Sequence, residues 1–480
     1  MNMRLKNYTI CLILCLAVTS CKKGFQELNV NPNTSEKALP QALLAPAIAS
    51  IVTANMSRSQ RLTNELMQVT VDMGDTDGKI FRYDIRKSEG DYLWNSWYLE
   101  LSNFNDIYKG AEQLGSNSFK GISLICQAYV FSLLTDTYGD IPYFNATKAK
   151  EGVFMPEFDR QEVIYPELFK KLEMANELLK TGTNIPSSSD PLYAGNAANW
   201  RKFGNTLYLR LLMRVSAKSP ALAVAKIKDI VDVNSANYPV ISSNAESAAL
   251  RWSGTAPYVS PFATWRPADW YTPKLADFFV NNLKEWGDPR IAKWATIYNG
   301  KYEGIPSGYP VGQAPEGKST LPVALQSEPL LGNILNYAEL QFLLAEAASK
   351  GWITTGTAKG YYENGVTSGI TYWGYAVPEN YLQGADVKWT DNLALENKLE
   401  LIHLQKYYSL FMTDLEQWFE YRRTGHPQLP KGAGLPNGGQ MPSRLNYPVY
   451  LQSTNGANYA AAVAIQGADD LYTKVWWQKP

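Results

Sequence analysis

Cysteine and histidine are scarce in this chain and the charges cancel, and each shortage removes a class of chemistry. Only four cysteines and two histidines occur in 480 residues. Cys11 and Cys15 fall in the first twenty residues, which read as a leader; without them Cys126 is the only cysteine besides Cys21, so no intrachain disulfide framework is expected. His403 and His426 stand far apart in sequence and Cys126 lies in an apolar helical pattern, so a zinc site of three or four N/S ligands is not available without carboxylates. No GxSxG elbow occurs and neither histidine has a triad context. Lys+Arg and Asp+Glu balance at 45 each, which gives no electrostatic case for nucleic acid. Beyond the leader, no run approaches the ~18 uncharged apolar residues of a spanning helix. No catalytic constellation and no cofactor motif stands out. A glycosidase-type carboxylate pair stays open, because spacing in space is not legible from sequence.

Aromatic residues are plentiful, with 30 Tyr and 14 Trp. Flat rings stack on the apolar C–H faces of sugars and also fill large cores. The first residues carry a second theme. Arg4 and Lys6 precede an apolar run from Tyr8 to Val18, and Thr19 and Ser20 lead into Cys21. Charge, short apolar run and small-residue exit make a secretory leader over residues 1–20, and the run is about half of what a spanning helix needs. Val18-Thr19-Ser20-Cys21 resembles a bacterial lipobox, with cleavage before an acylated Cys21; the alternative is an ordinary leader with an incidental cysteine. Several acyl chains on Cys21 would hold the chain on a membrane stably.

Lys22 to Ser35 reads as a tether, with a helix start at Thr34 or Ser35. Gln41 to Met73 is mostly helix-compatible. Leu93, Trp97, Leu101, Phe104, Tyr108, Ala111 and Leu114 recur every three or four residues on one face, and a second helix over about 122–137 follows the turn at 115–120. Further helices are predicted along Leu168–Leu179 and Phe203–Val215, then over 336–350, 358–373 and 396–421. Between them lies a stretch rich in Pro, Gly, Ser, Asn and aromatics, with one short helix around 273–286; a long irregular excursion in a compact protein is more often functional than idle. The expected organisation is one domain over 21–480. It comprises a helical scaffold over about 36–231 and 336–423, the excursion over about 232–335 and an irregular tail over 424–480. Helix pairs recur without a fixed sequence period.

Three local patterns carry candidate chemistry. Gly312 to Ser319 matches the P-loop expression, but Pro and Gly break the required strand before it and Pro322 interrupts the required helix, so a surface loop is expected. Asp72, Asp75, Asp77, Gly78 and Asp84 resemble part of a calcium loop, but Met73 takes the first ligand place and Asp84 the last; a solvated acidic turn is the plainer reading. Trp252, Tyr258, Trp265, Arg266, Asp269, Trp270 and Tyr271 gather rings, a guanidinium and a carboxylate within twenty residues. That is the inventory of a saccharide site, or of a loop that buries its rings against a helical body.

Taken together, the lipobox and a series of short motifs in fixed order resemble the SusD/RagB family of Bacteroidetes outer-membrane lipoproteins. The motifs begin with Asn31-Pro32-Asn33, Tyr138-Gly139-Asp140-Ile141-Pro142-Tyr143, Asn199-Trp200-Arg201-Lys202-Phe203 and Leu209 to Arg214. They continue with Asp288-Pro289-Arg290, Ala338-Glu339-Leu340, Ala345-Glu346-Ala347, Trp418 to Gly425 and Pro442 to Pro448. The resemblance implies a mainly α fold with tetratricopeptide-like helix pairs supporting an irregular ligand-binding half, and no enzyme activity. It also implies a lid that captures oligosaccharide and closes over a SusC-like TonB-dependent barrel. Lys22-Lys23 depart from the acidic residues that many surface-exported members carry after the cysteine. The other readings are a surface glycoside hydrolase, a protein-binding helical scaffold and a peptide-capturing member of the same family. Arg210 and Arg214, one turn apart, are expected to pair with acids of a neighbouring helix, and Tyr421 to Gly425 to cap a long helix.

Overall fold

The computed structural model describes residues 39–74 and 76–479; the leader, Cys21, the tether, the expected helix start at Thr34 or Ser35, and Asp75 lie outside the described residues. Helix α1 (Pro40–Arg58) opens on a proline, whose missing N–H costs nothing in a first turn. It buries Leu44, Ile48, Ile51, Val52 and Met56 and runs through a π turn (Ser59–Thr63) to Leu66. It packs on α2 (Asp91–Leu114), whose Leu93, Trp97, Leu101, Phe104 and Ala111 are buried as their spacing predicts. Two residues of that face depart: Tyr108 is only half-buried, and Leu114, at the last position of the helix, is exposed.

Gly115 reverses the chain in the left-handed region (φ 64°), and the Ser116 hydroxyl caps the next helix by accepting from the Phe119 N–H. Helix α3 (Asn117–Tyr138) is long and apolar enough to cross a membrane by composition, yet it is the central core helix, with 94% of that stretch buried. It packs between α2 and α4 (Gln161–Lys180), and α4 packs on α5 (Ala197–Val215). Burial of each large apolar side chain along these faces contributes about 1.5–3 kcal/mol. A short α6 (Pro220–Lys228) ends this series. After the irregular region come α9 (Tyr337–Ser349), capped by Asn336 at 2.8 Å, and α10 (Ala358–Thr371), packed against each other and against α11 (Leu395–Ser409). The molecule is mainly helical, and one hydrophobic core cluster extends from Leu44 to Trp477.

Two expectations fail. A single helix over 396–421 is broken: the chain leaves α11 at Ser409, passes through Met412 (φ 61°) and Asp414 (φ 33°), and restarts as α12 (Glu416–Thr424). The break is held by buried partners. Tyr129 donates to the Asp414 carboxylate at 2.8 Å, Thr63 donates to the Asp414 carbonyl at 3.1 Å, and Asn333 donates to Thr413 at 2.6 Å. Strained backbone persists where its surroundings over-determine it. The tail, expected to be irregular, contains α13 (Gly456–Gln466), whose last residue binds back to the Tyr138 carbonyl at 3.0 Å.

The break also aims Glu416 at the arginines of α5. Arg210 donates to Glu339 at 2.7 and 2.6 Å and to the Ile334 carbonyl at 2.8 Å; Arg214 binds Glu416 and lies 3.4 Å from Asp136. The expected pairing of Arg210 and Arg214 with acids of other helices is therefore found. At the end of α12, Gly425 (φ 75°) returns its N–H to Tyr421 at 2.8 Å, as a C-cap should.

Candidate functional site

The irregular region is organised by a very short strand. β3 (Lys274–Leu275) pairs antiparallel with β1 (Thr70–Val71), in register Thr70↔Leu275 and Val71↔Lys274. The backbone around β3 also binds Ser319, through the Leu275 N–H at 2.8 Å, and Ile305, through the Asp277 N–H at 2.8 Å. Three loops separated by long stretches of sequence (72–86, 253–273 and 306–318) therefore spring from one seam. A second seam, β2 (Ala248–Leu250) against β4 (Gly332–Leu335), closes the far end of the excursion. Beneath the first seam Val71, Phe81, Ala276, Ile305 and Tyr309 form their own small core.

The seven residues singled out by composition divide into three groups. Trp252 and Trp270 are core: the first donates to the Met56 sulfur at 3.1 Å and the second to the Pro322 carbonyl at 3.0 Å. Tyr258 and Trp265 are half-buried; the Trp265 ring stands edge-on to Phe262 (5.1 Å) and Trp270 (6.2 Å) and keeps one side open. Gln326 ties the carbonyls of Phe262 and Trp265 (3.1 and 3.2 Å), so the platform is rigid. Arg266, Asp269 and Tyr271 are exposed around the short α7 (Pro267–Tyr271), and Arg266 and Asp269 hold each other in a bidentate pair at 2.8 and 3.0 Å. Those two charges are thus engaged with each other, while the rings of Trp265 and Tyr271 remain available.

The acidic turn lies at the same seam but is knotted internally. Asp72 accepts from Gly74 and from Lys79 (2.6 and 2.9 Å), and Asp84 accepts from Gly78 at 2.6 Å. Asp77 is exposed, and Asp75 lies outside the described residues. Below the turn, burial first and Asp72 second push Glu65 up to about 8, so it is protonated at neutral pH; it accepts from the Phe81 N–H at 3.0 Å. Phe81, Arg82 and Tyr309 sit beside it, with the Arg82 guanidinium 4.8 Å from the Phe81 ring centre. The sequence offered no sign of them, because their meeting depends on the β1–β3 pairing.

The P-loop-like stretch is extended and ties to neighbouring strands: Ser319 donates its N–H to Glu303 at 3.0 Å, and only a 3-10 turn (Val323–Ser327) follows. No helix start is there to cradle a phosphate. Glu346, His403 and Glu420 come close enough to hold an ion. Arg423 already spans both carboxylates (2.6–3.0 Å), with Lys406 on Glu420 and Lys350 on Glu346 at 2.6 Å, so cations of the protein fill that role. A separate cleft of about 590 Å³ on the other side of α8 (Asp277–Glu285) presents the half-buried Trp286 with Asn282, Thr390 and Asn397.

The sequence model of one protein family, described as starch-binding and associating with the outer membrane, matches residues 32–448. The chain belongs to the SusD-like family. This family consists of binding proteins associated with the outer membrane, and the chain is accordingly not an enzyme. No curated protein matches it. Among solved structures, a chitin-binding SusD homolog from Flavobacterium johnsoniae is 24% identical with a TM-score of 0.79, covering 92% of this chain and 98% of its own. SusD homologs from Bacteroides uniformis (24% identity, TM-score 0.80, 92% and 99% covered) and Bacteroides fragilis (25%, 0.76, 92% and 100%) are similar to the same extent. At such identity these SusD-like structures establish the fold.

Proposed function

We propose that this SusD-like chain is a lipoprotein anchored at Cys21 on the outer membrane, facing the cell exterior. There it captures an oligosaccharide on the surface carrying Trp265 and Tyr271 and delivers it to a SusC-like TonB-dependent barrel. The observation that carries this reading is the match of residues 32–448 to a family described as starch-binding and outer-membrane associated. The chitin-binding relative supports a glycan over a peptide. The half-open ring of Trp265 on a rigid platform supplies the stacking face such a ligand needs.

Physics as well as kinship supports a separate transporter. A polar oligosaccharide cannot cross the hydrocarbon core unaided. Among the described residues the one helix long and apolar enough to span is committed to the core, which supports passage through another protein. Stable docking of a lid buries roughly 1,200–2,000 Å². A tether at Cys21 raises the effective concentration of the two partners.

The deciding experiment is a glycan array with purified full-length protein in detergent, alongside a panel of peptides. Binding to one glycan class, with the oligosaccharide recovered intact, supports the reading; binding to peptides alone would replace the ligand. Cys21→Ala should release the protein from membranes, and retention after a high-salt wash would defeat the anchor. A tag at Pro480 should recover a barrel-sized companion after crosslinking in cells; its absence would leave a free-standing binding lipoprotein.

A further inference from the structure

A cleft of about 300 Å³ opens on the helical side, between α2, α3, α4 and the loop 143–151, and belongs to none of the sites above. That volume is at the lower end of small-molecule pockets, about 300–1,000 Å³. Its floor holds a largely buried lysine. The Lys171 ammonium donates to Gln127 Oε1 at 3.0 Å and lies 5.9 Å from the centre of the Tyr143 ring, and among the described residues no carboxylate is within ion-pair distance of it. Its nearest acid along α4, Glu167, is held by Lys170 at 2.6 Å. Burial pulls Lys171 below the usual lysine range, with Glu167 opposing only in part. An ammonium in such a place is costly unless something completes its shell.

The surroundings hold that ammonium in place. Gln127 is fixed from behind by donating to Ser123 at 3.0 Å, and Ser123 donates to the Phe104 carbonyl at 2.6 Å. One wall is aromatic: Phe131 against Tyr143 (4.5 Å) and Tyr143 edge-on to Phe144 (5.1 Å), with Phe144 48% exposed. Asp159 accepts the N–H groups of both Tyr143 and Phe144 (2.8 and 2.9 Å), which pins this corner. On the same lining Thr147 adopts φ 60°, a left-handed conformation that a β-branched residue rarely takes; such strain concentrates at ligand sites. The rim carries Glu151, paired with Lys109 at 3.3 Å, and Glu167.

We infer that this cleft binds a small ring bearing a single carboxylate, in the class of a uronic acid. The carboxylate meets the Lys171 ammonium, the ring lies on the Tyr143–Phe144 wall, and hydroxyl groups reach Asn105 and Thr147. A charge-assisted hydrogen bond there is about twice as strong as a neutral one. None of the residues lining the cleft belongs to the surface around Trp265, so it stands or falls independently of the glycan surface proposed above.

The test is calorimetry on the full-length protein in detergent with D-glucuronate and D-galacturonate, against D-glucose, D-galactose and benzoate. At least one uronate should bind, with its parent hexose about ten-fold weaker or worse. Lys171→Met should abolish binding while leaving the melting temperature unchanged or higher, since it keeps the stem and removes a lone buried charge. Phe144→Ala, at an exposed ring, should weaken binding, and Trp265→Ala should leave it intact. No heat from either uronate at millimolar concentration would overturn the assignment. Equal binding of the hexoses, or full affinity in Lys171→Met, would do the same. Benzoate binding more tightly than both uronates would overturn the sugar class.

Discussion

The α5–α9–α12 contact and the loops around β3 use the same residue types in opposite ways. In the first, Arg210, Arg214, Glu339, Glu416 and Glu420 are buried and paired, and every charge has a fixed counterpart. In the second, Arg266 and Asp269 pair in open solvent and the rings of Trp265 and Tyr271 keep exposed faces. A buried pair constrains the fold because losing one partner strands the other; an exposed pair can be given up at little cost. The helical half is therefore the part that must not change. At the seam at β3, exposed side chains can be exchanged at little cost to the fold.

The largest effect that separates the two regions comes from removing one buried carboxylate. Glu339→Ala leaves the buried Arg210 guanidinium with only the Ile334 carbonyl and Glu416 at 3.9 Å, and should destabilise the protein by about 3–5 kcal/mol in urea unfolding. Arg266→Ala, at a guanidinium 82% exposed, should fall within about 0.5 kcal/mol of wild type. If the two variants unfold alike, the contrast between the regions is lost.

A second pair of substitutions divides the aromatic cluster itself. Trp270→Ala removes a fully buried ring and should cost about 3–5 kcal/mol of stability. Trp265→Ala and Tyr271→Ala should reduce affinity for the glycan found on the array by about 1–3 kcal/mol each, with helical content unchanged. Trp286→Ala, in the cleft beyond α8, is the control and should leave that affinity alone. Were Trp286 the one to matter, the ligand surface would move to that cleft.

How much of this could be read beforehand depends on the range of the interaction. The three-to-four-residue spacing on the face of α2, the cap at Gly425 and the need of Arg210 and Arg214 for acidic partners were legible from local sequence; which acids those are was not, because Glu339, Glu416 and Asp136 are distant in sequence. The interruption between α11 and α12 was not, because Met412 and Asp414 carry no Gly or Pro marker and take positive φ only under the hold of Tyr129, Thr63 and Asn333. The helix at Gly456–Gln466 was missed for a related reason: its Ala-rich run has a weak face, and its end is secured by Tyr138, distant in sequence. The candidate site was half legible. Composition located the rings, but which ring faces solvent is decided by Gln326, Pro322 and the two-residue β1–β3 pairing, none of which leaves a periodic trace.

The smallest predicted effect distinguishes two histidines that lie against each other, His403 and His426, stacked at 5.6 Å with planes 15° apart. Burial holds His403 down at about 3; Glu346 pulls it back only in part, and Arg423 offsets some of that pull. His426 moves the other way: its hydrogen bond to Glu400 is the main cause, and Glu396 adds to it. The pH consequences have opposite signs. For His403, the unfolded imidazole takes a proton below about 6.5 while the buried one does not, so this residue drains stability as pH falls from there toward about 3. For His426, the folded state holds its proton more tightly, so its contribution is fully present below about 6.5 and is lost as pH rises through the higher folded value. Because Glu396 is 74% exposed and Glu400 lies near the surface, the His426 contribution should be no more than about 1 kcal/mol. Unfolding of His426→Gln and wild type at about pH 6 and about pH 9 measures it. The variant should be the less stable at the lower pH and indistinguishable at the higher one. A deficit that is the same at both would mean that the ring contributes by stacking on His403 and not by charge.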